Sequence, residues 1–124
     1  MDDEEGIRKL LRSILTGFGH EVVCAADGAE AVALYEAARA SGRGFDAVLL
    51  DLTVRGGMGG TDAAARLKEV DPSAKLIVSS GYSDSPVLSD FRKCGFDDIL
   101  PKPWTPEQIA EVFGRVVAQE RDIL

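Results

Sequence analysis

Acidic, hydroxyl and cationic side chains stand directly after the short apolar runs of this 124-residue sequence. Two further carboxylates stand just before the first predicted helix. The candidate residues are Asp51, Ser79, Ser80 and Lys102 after the apolar runs, and Asp2 and Asp3 before the helix. Carboxylates, hydroxyls and an ammonium group in one place can bind a hard cation and stabilise the charge of a phosphoryl group.

Three carboxylates at one place repel one another. At about 5 Å and an effective dielectric constant near 20, each pair costs about 3 kcal/mol. A fold keeps such a cluster only when a cation or a shift in protonation offsets the repulsion. Mg²⁺ is the natural cation, because it takes hard oxygen ligands and often lies where phosphoryl groups are handled.

The elements that must position these residues are helices that alternate with short apolar strands. The predicted helices cover residues 7–18, 31–38, 63–70, 85–95 and 105–117, and the predicted strands cover 21–25, 47–50, 76–78 and 98–100. Such alternation produces right-handed βαβ units. We therefore predict an α/β fold, with a parallel sheet covered by helices on both faces.

The carboxyl ends of parallel strands meet at one edge of the sheet, and ligands of open α/β sheets bind beyond that edge. Asp51, Ser80 and Lys102 each follow a predicted strand. Asp2 and Asp3 stand where the end of a further strand would place them. We therefore predict that all five side chains converge.

Composition excludes several classes of protein. The chain has 14 basic and 21 acidic residues and a net charge of −7, which disfavours nucleic acid or an anionic membrane as a direct ligand. Cys24 and Cys94 lack the spacing of a zinc site or a disulfide framework. The glycine-rich segment 56–60 lacks the lysine of a P-loop, which disfavours nucleotide binding.

Several motifs, in this order and spacing, resemble the receiver domains of response regulators in two-component signalling. They are Asp2-Asp3, Asp51 in VLLDLT, Ser80 in IVSSGYS, and Lys102-Pro103, whose peptide bond is typically cis in that family. The resemblance covers essentially residues 1–124. It implies one receiver domain with a flavodoxin-like doubly wound sheet, strand order 2-1-3-4-5 and five helices. The family's first strand has no counterpart before Asp2, so an N-terminally truncated domain is expected.

The resemblance also implies a role for each motif. Asp51 would be the phosphoacceptor, and Mg²⁺ would be bound by Asp3 directly, by Asp2 through a water, by Asp51 and by the Thr53 carbonyl. Lys102 would contact the phosphoryl group. The remaining two expected roles are a hydrogen bond from the Gly81 N–H and a switch hydroxyl at Ser80. Such a domain catalyses its own phosphorylation and dephosphorylation rather than turning over a small molecule.

The partner implied by the resemblance is a histidine kinase or a phosphotransfer domain, and a homodimer is compatible with it. Neither nucleic acid nor membrane is expected to bind the domain by itself. The expected location is the cytoplasm, including the cytoplasmic part of a larger sensor kinase, since the motifs look most like receivers of hybrid sensor kinases. The alternative is a receiver-like module that binds proteins without exchanging phosphate.

Overall fold

The computed structural model describes residues 1–52, 54–81 and 90–118. These contain four helices and three strands. In chain order they are α1 Glu5–Gly17, α2 Gly28–Ala40, β1 Val48–Asp51, α3 Gly60–Val70, β2 Leu76–Ser80, β3 Asp98–Pro101 and α4 Pro106–Ala118.

The three strands form one parallel sheet in the order β1-β2-β3. Asp51 lies beside Ser79, and Ser80 lies beside Pro101, so the strands end at nearly the same level. All five residues of β2 are buried, as expected for the middle strand of a sheet covered on both faces. The predicted doubly wound α/β architecture is confirmed.

Helices pack on both faces of the sheet and form two apolar layers. On one face, α2 and α3 pack against the sheet through residues such as Val32, Ala63 and Leu67. On the other face, α1 and α4 contribute Leu11 and Ile109, among others. The sheet thus lies between two pairs of helices, and its carboxyl edge is left open for a site.

The ends of α2 and α4 are fixed by residues that the sequence singles out. Thr105 and Gln108 form a reciprocal capping box, with the Thr105 N–H donating to Gln108 Oε1 (2.7 Å) and the Gln108 N–H donating to Thr105 Oγ1 (3.2 Å). Asp27 caps α2 by accepting a hydrogen bond from the Glu30 N–H. These caps fix where the helices start relative to the strand ends.

Two sequence predictions need correction. Residues 21–25 were expected to form a strand, but the structure assigns none there, because this segment has almost no strand neighbour. Within the described residues, its one backbone hydrogen bond toward the sheet is from the Asp2 N–H to Ala25 O (3.1 Å). Of the helix expected over 85–95, residues 90–95 form turns. Residues 85–89 lie outside the described part of the chain.

The first two residues occupy the level of a strand end between β1 and Ala25. The Met1 nitrogen donates to Leu49 O (2.6 Å), and the Asp51 N–H donates to Met1 O (3.0 Å). This alternating exchange is the hydrogen-bond pattern of parallel strands. None of the helices in the described ranges has the length and apolar character needed to cross a bilayer.

Candidate functional site

Three carboxylates meet at the carboxyl edge of the sheet, as the sequence predicts. One oxygen from each of Asp2, Asp3 and Asp51 lies within 4.8 Å of the others. Asp2 and Asp51 are 3% and 6% exposed, while Asp3 is half-buried. Two of the three carboxylates are buried, and Asp3 is the one that is more exposed to solvent. The cluster is therefore accessible from the side on which Asp3 lies.

Backbone and side-chain contacts hold the acidic pair in place before α1. The Asp2 N–H is bound by Ala25 O, and Asp2 Oδ1 accepts a hydrogen bond from the Glu4 N–H (2.9 Å). Arg8 Nη1 on the first turn of α1 donates to Asp2 O (2.8 Å). Asp2 is therefore tied at its nitrogen, its carbonyl and its carboxylate.

Asp3 is positioned from the other side of the site. Its Oδ2 accepts a hydrogen bond from the Arg55 N–H (3.2 Å), which belongs to the loop after β1. No motif in the sequence predicts a contact between Arg55 and the acidic pair. The contact uses a backbone N–H, which any non-proline residue supplies, so residue type alone gave no signal for it.

Asp51 ends β1, and the start of α3 packs directly against its backbone. A side-chain carbon added at Gly60 would lie 2.6 Å from Asp51 O and 3.1 Å from Asp51 C. Only glycine allows that approach without a shift of the backbone. The last residue of the glycine-rich segment 56–60 thus has a steric role beside Asp51.

Lys102 brings the positive charge to the cluster. Its Nζ lies 3.0 Å from Asp2 Oδ2 and 3.7 Å from Asp51 Oδ1. Burial by itself lowers the pKa of Lys102, but the hydrogen bond to Asp2 and the charges of Asp51 and Asp2 outweigh it, so the pKa is raised above 10.5. The ammonium group is thus held in its charged form between two carboxylates.

Four further candidate residues are Ser79, Ser80, Gly81 and Thr53. Ser80, the last residue of β2, is 2% exposed, and its carbonyl accepts a hydrogen bond from the Lys102 N–H (2.9 Å). Gly81 follows it and is exposed. Thr53 lies outside the described residues. Ser79 Oγ is buried and has no hydrogen-bond partner within the described ranges, so it makes no hydrogen bond to the site residues.

The peptide bond between Lys102 and Pro103 is cis, as the resemblance implies. The two cysteines, Cys24 and Cys94, are both free.

The sequence model of the family described as the response regulator receiver domain matches residues 1–113 of this chain. This chain belongs to the response-regulator receiver family. The chemotaxis protein CheY of Thermotoga maritima is 32% identical over 117 residues, which cover 94% of this chain and 92% of that protein.

Two further comparisons agree. The sporulation initiation phosphotransferase F of Bacillus subtilis is 27% identical over 111 residues, covering 90% of this chain and 85% of that protein. The crystal structure of the receiver domain of NtrX from Brucella abortus matches with a TM-score of 0.82 and 26% identity, covering 94% of this chain and 93% of that one. The chain is therefore a receiver domain, the phosphoacceptor module of two-component signalling.

Proposed function

We propose that Asp51 is the residue of this receiver that accepts the phosphoryl group. The observation that carries the proposal is the position of its carboxylate, at the end of β1, within 4.8 Å of two other carboxylates and 3.7 Å from the Lys102 ammonium. In the transfer, a phosphohistidine P–N bond breaks while a P–O bond forms to the Asp51 carboxylate, and the imidazole nitrogen leaves.

Mg²⁺ is the cation that we propose for the cluster. Asp2, Asp3 and Asp51 supply the hard oxygen ligands that this ion prefers, and their oxygens are close enough to share one ion. When bound, the ion would neutralise negative charge on the phosphoryl oxygens. The Thr53 carbonyl remains a proposed further ligand on the resemblance alone.

Lys102 has two roles in this proposal. Before transfer, its ammonium lies between Asp2 and Asp51 and offsets part of their mutual repulsion. After transfer, the aspartyl phosphate carries more negative charge than the carboxylate did, so the same ammonium has a stronger partner. Because its pKa is raised, Lys102 keeps its proton throughout the neutral pH range.

We propose that the Gly81 N–H donates a hydrogen bond to the phosphoryl group, and that the Ser80 hydroxyl acts as the switch that reports this group to the rest of the fold. Ser80 ends the middle strand and is backbone-bonded to Lys102, so a movement of either residue is transmitted to the other. The proposed partner is a histidine kinase or a phosphotransfer domain, and a relative that is a sporulation initiation phosphotransferase supports phosphoryl transfer as the activity. Attachment to a hybrid sensor kinase stays a prediction.

The experiment is phosphorylation by acetyl phosphate in the presence of Mg²⁺, followed by intact-mass spectrometry. We expect one added phosphoryl group in the wild type and in Asp62→Asn, a matched exposed carboxylate on α3, and none in Asp51→Asn. Omission of Mg²⁺ should slow the reaction strongly. If the wild type gains no phosphoryl group, the phosphate-independent binding module is the better account.

A further inference from the structure

The start of α2 packs closely against residues 54–59, which lead from β1 into α3 and which we call the site loop. Gly28, the first residue of α2, donates its N–H to Met58 O at 2.7 Å. A side-chain carbon added at Gly28 would lie 2.8 Å from Met58 O and 2.9 Å from both Met58 Cγ and Ala63 Cβ. Side-chain carbons essentially never come this close to other atoms, so only glycine fits here without a shift of its neighbours.

The site loop contacts α2 at a second point. A side-chain carbon added at Gly57 would lie 2.9 Å from Asp27 Cβ and 3.0 Å from Asp27 Oδ2. Asp27 is itself held in place, because its Oδ1 accepts a hydrogen bond from the Glu30 N–H (2.9 Å). Asp27 and Gly28 thus form a fixed corner, which we call the α2 corner, and the site loop lies against it.

The site loop also contacts the acidic cluster. The Arg55 N–H donates to Asp3 Oδ2 (3.2 Å). Gly60, where the loop enters α3, lies against the backbone of Asp51. The loop therefore connects the α2 corner to two of the three carboxylates.

Of the two packed parts, the site loop yields more easily than the helix. Residues 55–57 are exposed, whereas α2 is anchored by the buried side chains of Val32 and Tyr35. Tyr35 also donates a hydrogen bond to Asp71, beyond the end of α3 (2.7 Å). A methyl group inserted at the α2 corner should therefore displace the loop, and with it the Arg55 N–H.

We propose that the α2 corner positions Asp3 for Mg²⁺, with Gly28 as the residue that keeps the site loop close enough for the Arg55 N–H to reach Asp3. The inference rests on the proposed Mg²⁺ site. Hydrogen bonds to a ligating carboxylate fix its orientation, and the loss of such a partner typically weakens metal binding about 10–100-fold. The atoms nearest to a carbon added at Gly28 belong to Met58 and Ala63, neither of which is a proposed ligand.

The test compares wild type with Gly28→Ala in two measurements on the full 124-residue chain. The first is hydrogen exchange of the Arg55 N–H, followed by NMR in EDTA. Loss of a hydrogen bond to a carboxylate should accelerate this exchange about 10-fold. The second is the Mg²⁺ dissociation constant from isothermal titration calorimetry, which should rise about 10-fold.

Two further alanine variants make the result specific. Gly114→Ala adds the same methyl group at an open position of α4 and should leave both measurements unchanged. A merely structural role of Gly28 would lower the free energy of unfolding in Gly28→Ala but leave the Mg²⁺ dissociation constant of the folded protein at the wild-type value. If Gly28→Ala does not fold, Gly57→Ala inserts the carbon at the other contact with the α2 corner, and the same two changes are expected.

The route through Arg55 is tested by a double-mutant cycle. Arg55→Pro removes the N–H, and Arg55→Ala keeps it, so only the proline variant should weaken Mg²⁺ binding. In the Arg55→Pro background, Gly28→Ala should have no further effect on the dissociation constant. A further 10-fold loss in that background would overturn the proposed route.

Two other results would overturn the proposal. One is wild-type exchange of the Arg55 N–H in Gly28→Ala, and the other is faster exchange with an unchanged Mg²⁺ dissociation constant. If the wild type binds no Mg²⁺, the proposed cation is wrong. The exchange measurement in EDTA then decides alone whether the α2 corner positions Asp3.

Discussion

Replacing Lys102 by methionine should destabilise the receiver without Mg²⁺ and make its stability strongly dependent on that ion. The Nζ lies 3.0 Å from Asp2 Oδ2 and 3.7 Å from Asp51 Oδ1. At an effective dielectric constant near 20, each contact contributes an attraction of about 5 kcal/mol. Methionine keeps most of the side-chain volume and removes the charge.

The attraction of Lys102 is comparable to the repulsion that it offsets. Three carboxylates with oxygens within 4.8 Å repel by at least about 3 kcal/mol per pair under the same conditions. Entry of water relieves part of this repulsion in the variant. We therefore expect a loss of about 3–5 kcal/mol in the free energy of unfolding, the usual cost of breaking a buried ion pair from one side.

The assay is urea denaturation of wild type and Lys102→Met, each with EDTA and with excess Mg²⁺. Mg²⁺ should restore most of the lost stability in the variant, because the ion supplies the missing positive charge. Lys93→Met is the matched control, since Lys93 forms an exposed ion pair with Asp90 at 3.4 Å, and its stability should be unchanged. Equal stability of Lys102→Met and wild type in EDTA would refute the reasoning.

The pH dependence gives a second check on the same residue. The folded-state pKa of Lys102 is raised above the ordinary 10.5, so its contribution is complete below that pH and is lost as the pH rises through the folded-state value. Wild-type stability should therefore fall in this alkaline range more steeply than that of Lys102→Met. Parallel curves would contradict the assigned contacts.

Three further substitutions test how the fold supports the site. Gly60→Ala should cost about 1–3 kcal/mol and weaken Mg²⁺ binding, because the new carbon would lie 2.6 Å from the Asp51 carbonyl oxygen. Its control Gly114→Ala, in an open part of α4, should stabilise by about 0.5–1 kcal/mol in thermal unfolding. Tyr35→Phe removes a 2.7 Å hydrogen bond to Asp71 and should cost about 1 kcal/mol at neutral pH. That hydrogen bond lowers the pKa of Asp71 below 3.8, so the difference should shrink as the pH falls through the lowered value in acid titration. Thr105→Ala should cost about 1 kcal/mol, measured by urea denaturation, and an unchanged midpoint would argue against the capping box.

The sequence predicted most of the elements that carry the site, because these elements have strong local signals. The apolar runs before Asp51 and Ser80 gave β1 and β2, and the pattern Thr105 to Gln108 gave the start of α4. Convergence of the strand ends then followed from parallel topology. These features depend on residue type and spacing, which a single sequence contains.

The features that the sequence did not predict depend on neighbours in space. Residues 21–25 have the composition of a strand, yet a strand needs a hydrogen-bonded partner. Here an open cavity lies between these residues and β1, where the partner strand would be. The contact of Arg55 with Asp3 uses a backbone group, and the approach of Gly60 to Asp51 depends on how α3 docks. Neither of these two contacts produces a periodic pattern in the sequence.

Whether Asp51 itself carries the phosphoryl group can be measured at the residue. The receiver is phosphorylated with acetyl phosphate and Mg²⁺ and reduced with borohydride, and its peptides are sequenced by mass spectrometry. Borohydride converts an aspartyl phosphate to homoserine, so we predict homoserine at position 51 and aspartate unchanged at positions 2 and 3. Homoserine at Asp2 or Asp3, or at no position in a protein that has gained phosphate, would contradict the account.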